Sequence, residues 1–286
     1  MRTFYISLIL VCIASKVFAA KDSLNTDSTK TSLTLATIYS TNANYYGQTT
    51  EAKLPYLLTN ATLRFKNGFS FSVGGYKLLN SGSGISEFDL GVGYDYKISK
   101  NSSGSFGYTR SFYPDNSPLI QSVSGNTASA TLAYDWKLFN TLISSDFAFG
   151  DGNSFIFLTL GNSKLFDLGS VFSDKDYLSL EPSIEIVSGA SISENDTASN
   201  GSSSVGGKKK KGGLVRKLFP QPSSATNSFT IPPFDLLSYN FKLPLAYNRT
   251  HYTIETSYQL SVLGKNLAGY SSPTRSFFNL SFYYMF

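Results

Sequence analysis

The chain has 286 residues, and 24 lysines and arginines against 19 aspartates and glutamates give it a formal net charge of +5. This near balance argues against nucleic acid as a partner. The one cysteine, Cys12, lies in an N-terminal segment that we expect to be removed, which excludes disulfides, a thiolate nucleophile and a cysteine metal site from the mature protein.

The N-terminus has the pattern of an export signal. Arg2 precedes an apolar run over residues 4–14, and Ala19 ends a stretch suited to cleavage, which predicts a secretory signal peptide over residues 1–19. The run is shorter than the roughly 20 residues of a membrane-spanning helix, so we expect removal rather than retention as an anchor. A periplasmic linker over residues 20–30 should follow, and the mature net charge is then +3.

Residues 31–286 alternate between apolar and polar positions in about twelve segments, with turn residues between them and no helical periodicity. In residues 87–98 the even-numbered positions are apolar or aromatic, and the odd-numbered positions are charged or glycine. Aromatic residues make up 15% of the chain, a supply that suits girdles at two membrane interfaces. We predict an all-β fold, a transmembrane antiparallel up-and-down β-barrel of about twelve strands, with ten or fourteen as alternatives. Its bore should be narrow.

With the N-terminus in the periplasm, the connections predicted on the periplasmic side are mostly tight and the outer ones mostly longer, as in bacterial outer-membrane barrels. The periplasmic link over residues 162–175 is long, and we expect it to hold a small helix or to extend its strands. Pro182 and Pro244 fall in neighbouring strands and each removes a backbone donor, which predicts β-bulges or a weak seam there.

The alternation sends a set of ionisable side chains inward, where charge inside a membrane meets water or a partner. These lumen-lining candidates are Arg64, Glu87, Asp89, Asp95, Lys97, Asp135, Lys137, Glu181, Glu185, Lys242 and Glu255. Two interpretations stay open. Salt bridges among them plug a narrow barrel, or they line a hydrophilic passage that slightly prefers cations, because acids outnumber bases seven to four.

Glycines from three consecutive strands share this inward face. The four are Gly74, Gly91, Gly93 and Gly107. Without side chains they would leave a trough for a solute beside Asp89 and Asp95. Alternatively they accommodate curvature or a packed aromatic ring such as that of Tyr76.

Residues 188–233 break the alternation and are rich in serine, glycine and asparagine, which predicts a long low-complexity extracellular loop. Its basic residues are Lys208, Lys209, Lys210, Lys211, Arg216 and Lys217. A solvated loop is the first interpretation, and a loop that contacts lipopolysaccharide or gates the mouth is the second.

Residues suited to catalysis are scarce. The single histidine, His251, follows a tight turn on the predicted periplasmic side, where it lacks the nucleophile and orienting partner of a hydrolase. Nothing resembles a phosphate-binding loop, a zinc motif or a calcium loop, so we expect neither an enzyme nor a cofactor nor a bound metal. Arg110 is a misfit, since it shares the lipid-facing register and should therefore lie near the outer interface or mark a register shift.

The last strand ends on a bare phenylalanine. Its alternate positions are Phe278, Leu280, Phe282, Tyr284 and Phe286. This ending resembles that of Gram-negative outer-membrane β-barrel proteins, which finish on such a strand with a terminal phenylalanine. The resemblance implies a place in the bacterial outer membrane, contact with its lipid and lipopolysaccharide, and recognition of these five residues by the outer-membrane assembly machinery.

Together these patterns predict a narrow channel or passive transporter, in which small hydrophilic solutes diffuse through a charged lumen and the long outer loop limits access. The first alternative is a structural or surface-interaction barrel with a plugged lumen and functional extracellular loops. An outer-membrane enzyme acting on lipid is the third.

Overall fold

The computed structural model describes residues 30–49, 53–80, 84–114, 125–150, 153–193, 234–264 and 274–286. The predicted signal peptide, most of the linker over 20–30, and the basic loop residues from Lys208 to Lys217 lie outside these ranges. Among the described residues there is no helix long and apolar enough to cross a membrane.

The described residues form fourteen strands. The strands are β1 (Ser32–Ser40), β2 (Tyr56–Arg64), β3 (Phe69–Leu78), β4 (Glu87–Lys97), β5 (Ser102–Phe112), β6 (Asn126–Asp135), β7 (Asn140–Phe149), β8 (Asn153–Ser163), β9 (Phe166–Gly169), β10 (Asp176–Leu180), β11 (Ser183–Ser193), β12 (Asp235–Arg249), β13 (Tyr252–Leu263) and β14 (Thr274–Met285).

Twelve of the strands close into a single antiparallel barrel, as the alternation predicts. The strands from β1 to β8 pair in chain order, β8 pairs with β11, and the ring continues through β12, β13 and β14. The last strand closes on the first, from Thr34 opposite Met285 to Ser40 opposite Asn279. Closure leaves no open edge in the wall, which is the condition for a sheet to stand in lipid.

The remaining two strands, β9 and β10, form a hairpin that extends the wall on the periplasmic side, so the long link over 162–175 extends its strands. Successive stretches of β12 pair first with β11 and then with β10. Pro182 lies between those two strands, and the carbonyl oxygen of Pro244 accepts the Glu181 amide at 3.1 Å. The break between β10 and β11 therefore falls at Pro182, whereas Pro244 lies within the continuous strand β12. The register shifts lie at Leu178/Ser179 and Val187/Ser188 rather than at either proline.

The two faces of the wall differ in polarity. Large apolar side chains are exposed on the outer face of strand after strand, for example Phe71, Leu90 and Phe106 at 53%, 46% and 57%. The inward positions carry serine, threonine, asparagine, glycine and charged residues. A closed barrel with an apolar exterior and a polar interior is the architecture of a membrane-spanning β-barrel.

Short turns join the strands on the side of the barrel where β1 begins and β14 ends. This is the periplasmic side by the usual asymmetry of such barrels, which have short periplasmic turns and longer outer loops. The alternation predicts the turn after β6 at residues 139–141, but this turn occupies residues 136–139 because β6 ends at Asp135. On the outer side β11 continues to Ser193, so residues 188–193 pair with β8 and belong to the wall rather than to the predicted long loop.

Candidate functional site in the barrel lumen

The connection between β1 and β2 does not stay outside the barrel. Residues 41–49 of this connection, here called L1, end in a tight turn at which Tyr45 and Gln48 exchange backbone hydrogen bonds of 2.8 and 3.0 Å. Tyr46 and Gly47 have φ values of 52° and 85°, as a type I′ turn requires at both central positions. The Asn44 side chain accepts the Gly47 amide at 2.8 Å and holds the turn.

L1 crosses the lumen. The Tyr46 hydroxyl donates a 2.8 Å hydrogen bond to Asp146 on β7, six strands away from β1 around a ring of twelve. Its carbonyl oxygen accepts the Ser238 hydroxyl of β12 at 2.7 Å. Asn44 donates to Gln259 of β13 at 3.0 Å, so three separate strands hold the tip.

An apolar cluster under L1 fills one sector of the upper lumen. The Tyr46 ring stacks on Phe157 of β8 with 4.0 Å between the ring centres, and Tyr45 meets the same ring edge-on at 5.4 Å. The buried members of the cluster are Ala148, Phe155, Phe157, Val187 and Leu237. Leu237 is the extra residue where the β11–β12 register shifts, which explains how an outward-register side chain is fully buried.

Burial and, next, the Asp146 carboxylate raise the pKa of Tyr46 above its ordinary value. The phenol is therefore protonated at neutral pH and is a hydrogen-bond donor to the carboxylate. Burial, with Asp146 and Glu87 as lesser causes, raises the pKa of Tyr45 as well. L1 thus presents two neutral tyrosines to a lumen that carries acids on both sides of it.

The wall facing this sector is acidic. On β4, Glu87 accepts the Tyr113 hydroxyl at 3.1 Å, and Asp89 accepts the Ser111 hydroxyl at 2.6 Å. Burial and the Glu87 carboxylate raise the pKa of Tyr113, which lies just beyond β5. The L1 tyrosines and the acids of β4 thus lie on two sides of the upper lumen, and Glu87 is near enough to Tyr45 to raise its pKa. We call the region between them the eyelet.

Lower in the lumen, the basic side chains are paired. Arg64 lies 3.0 Å from Asp95, and Lys242 lies 2.7 Å from Glu185. Glu181 accepts the Ser163 hydroxyl at 2.9 Å. Within the described ranges, several inward carboxylates have no basic side chain at ion-pairing distance. They are Glu87, Asp89, Asp146, Glu181 and Glu255.

Three of the lumen candidates lie at the periplasmic rim. Lys97 and Asp135 are the exposed last residues of their strands. Lys137 is in the turn after β6, with a φ of 69° and its amide bonded to the Asp135 carboxylate at 2.7 Å. It therefore lies outside the barrel wall rather than on it, because the turn comes three residues earlier than the alternation suggested.

The four inward glycines lie together on β3, β4 and β5. Side chains added at Gly91 and Gly93 would meet the hydroxyls of Ser72 and Ser70, and one at Gly107 would approach Ser129. The floor that they leave is therefore lined by small hydroxyl side chains directly below Asp89. This strip, here called the glycine trough, leads from the eyelet toward Asp95.

Two important groups escaped the sequence reasoning. Asp146 was missed because Leu142 and Ile143 are adjacent apolar residues in β7, and no face could be assigned to that segment. The alternation predicts residues 41–55 as an ordinary outer connection, whereas L1 folds into the lumen. The only local signal was the Tyr-Tyr-Gly run, since a glycine after two aromatic residues suits a tight turn whose rings need a partner.

The remaining candidates lie away from the lumen. The His251 ring is 6.4 Å from that of Tyr284 at the periplasmic end, and no cluster of three metal-ligating side chains occurs in the described ranges. On β14, Phe278, Leu280 and Phe282 face outward, and Phe286 is 65% exposed.

Neither a family model nor a curated protein sequence matches the chain. Solved structures with a similar barrel include the KdgM porin, with a TM-score of 0.47, 9% identity, and coverage of 88% of this chain and 99% of that one. An outer membrane channel from Pseudomonas putida F1 is similar with a TM-score of 0.48 and 10% identity, and the match covers 90% of this chain and 96% of that one. LpxR from Salmonella typhimurium is similar with a TM-score of 0.46 and 9% identity, and the match covers 89% of this chain and 100% of that one. At such identities the likeness concerns the barrel architecture alone and carries nothing about solute or activity.

Proposed function

We propose that the protein is a narrow outer-membrane channel that passes small hydrophilic solutes and favours cations over anions at its eyelet. The observation that carries this proposal is the crossing of L1 to Asp146 on β7, because β4 with its acids lies midway between β1 and β7 and therefore on one flank of that crossing. L1 and its apolar cluster occupy the side of β7, β8 and β12. The opposite side keeps the glycine trough.

Charge supports a water-filled path over a plugged lumen. A plug of salt bridges needs balanced partners, yet Glu87, Asp89 and Asp146 have hydroxyl contacts and no base at ion-pairing distance among the described residues. Carboxylates at membrane depth are stable where water reaches them.

Ion selectivity tests the acidic eyelet. In planar bilayers under a KCl gradient, the reversal potential of the wild type should indicate cation preference, and Asp89→Asn should move it toward zero. Asp135→Asn removes the same charge at the exposed periplasmic rim and should change it much less. Equal shifts in both variants, or anion preference in the wild type, would remove the eyelet from the selectivity mechanism.

Solute passage tests the trough. In liposome swelling with small sugars and amino acids, replacing Gly91 and Gly93 by leucine should slow uptake, because the new side chains enter the lumen. Gly75→Leu is the matched control, since Gly75 lies on the outward face of β3 with only the Thr59 hydroxyl nearby. Uptake that is equally fast in all three proteins would show that the trough does not conduct.

A second candidate function is a barrel closed by L1, whose role lies in its outer loops. The buried ring stack of Tyr46 on Phe157 favours it, because it fixes L1 across the bore. Absence of both conductance and swelling in the wild type would support this candidate over the channel.

A further inference from the structure

A cation stands on the lipid-facing surface of the barrel. Arg110 lies two residues before the end of β5, on the outward face and toward the extracellular side. It donates a 2.7 Å hydrogen bond to Asn126, and its guanidinium carbon is 5.6 Å from the centre of the Phe112 ring. A lipid-facing arginine destabilises a barrel by about 2 to 4 kcal/mol at the bilayer centre and by about 0 to 1 kcal/mol near an interface. Near the extracellular end of β5, Arg110 therefore lies at a depth where the barrel tolerates it.

An apolar groove of about 540 Å³ begins beside this arginine. Arg110 lies opposite Leu90, Leu90 opposite Val73, and Val73 opposite Ala61, so the groove follows one row of side chains across the sheet. It continues to Leu33 near the periplasmic end of β1. Four inter-strand spacings give it a length of about 19 Å. The small side chain of Ala61 lowers its floor.

We propose that this groove and Arg110 form a binding site for lipopolysaccharide, with an acyl chain in the groove and a phosphate group on the guanidinium. The arginine stands at the height of the outer leaflet, where that lipid is found, and the groove descends from it toward the bilayer centre. Arginine pairs with phosphate through parallel hydrogen bonds. The bond to Asn126 uses one of its five N–H donors and orients the rest.

The site is independent of the channel, because Arg110 and the apolar groove residues lie on the outside of the wall. Lys77 provides a matched control. It is an exposed cation near the extracellular end of β3 on the same outer face, and it does not line the groove.

Native mass spectrometry of protein refolded in detergent, titrated with bis-phosphorylated hexa-acyl lipid A, tests the proposal. The wild type and Lys77→Gln should bind one lipid A with equal affinity, and Arg110→Gln should bind about tenfold more weakly. The wild type should likewise bind dephosphorylated lipid A about tenfold more weakly than the bis-phosphorylated form. Ala61→Phe should weaken binding by filling the groove, and heat-modifiable mobility in electrophoresis verifies that each variant is folded.

Three results would overturn the assignment. Equal affinity of Arg110→Gln and Lys77→Gln would exclude the arginine as the phosphate ligand. Unchanged binding by folded Ala61→Phe would exclude the groove as the acyl-chain seat. Phosphatidylglycerol bound as tightly as lipid A by the wild type would make this a general anionic-lipid surface rather than a lipopolysaccharide site.

Discussion

Replacing Tyr46 should release L1 from the far wall of the barrel and widen the passage. Its hydroxyl donates to the Asp146 carboxylate at 2.8 Å, and a hydrogen bond to a charged group contributes about 1.5 to 3 kcal/mol. Because this bond is only partly buried, the lower figure applies. Tyr46→Phe keeps the ring stack on Phe157 and should therefore raise the population of displaced L1 by about tenfold.

Tyr46→Ala removes the stack as well. Offset aromatic pairs contribute about 0.5 to 1.5 kcal/mol beyond their buried area, so the total loss is at least about 2 kcal/mol and the population should rise at least about 30-fold. Single-channel recording in planar bilayers measures this as the fraction of time spent at a higher conductance level.

The order of the variants is the test. Tyr258→Phe removes a hydroxyl from a lipid-facing side chain that is 49% exposed, and its recordings should match those of the wild type. If Tyr46→Ala gives the same conductance levels and dwell times as Tyr258→Phe, L1 does not restrict the pore, and the eyelet is not its narrowest point.

Three further outcomes are expected. Gly47→Ala should lower the thermal midpoint more than Gly84→Ala in heat-modifiability gels, because both have positive φ but only Gly47 faces side chains of β12; equal midpoints would contradict the packing of L1. Glu185→Gln leaves Lys242 without its carboxylate at 2.7 Å, so cation preference should fall in reversal-potential measurements, and an unchanged potential would place this pair outside the ion path. Deletion of Phe286 should reduce the amount of protein in the outer-membrane fraction while export to the periplasm continues, and normal amounts would remove the terminal residue from assembly.

The barrel was predictable because the alternation of apolar and polar residues that defines each strand is visible within that strand's own sequence. The alternation in residues 87–98 identifies β4 to within one residue, since one face meets lipid and the other meets water over the whole strand. The turn after β6 was misplaced because Trp136 and Leu138 continue the apolar parity beyond Asp135. The girdle of aromatic side chains at the interface extends past the hydrogen-bonded strand, and parity alone cannot separate the two.

The centre of the candidate site was not predictable, because it depends on contacts between distant segments. Tyr46 and Asp146 are 100 residues apart and meet only when the ring has closed with β1 opposite β7. No local pattern states that a loop folds inward rather than outward. The inward direction of the acids of β4 could be predicted, because the alternation within their own strand assigns them to a face. The other boundary of the eyelet could not be predicted, because it belongs to a loop.

The hairpin of β9 and β10 gives the molecule an uneven height. Its four-residue strand continues the wall past the level at which β7 begins, by roughly 10 Å after allowance for strand tilt. The side chains that it adds include Phe166, Leu168 and Phe172, which are 41%, 53% and 81% exposed. A bilayer matches such a rim by thickening on that side or by letting the cylinder lean, at a fraction of a kcal/mol per ångström. Where the cylinder leans, the barrel axis departs from the membrane normal toward or away from the hairpin side, so the hairpin sets the direction of the tilt.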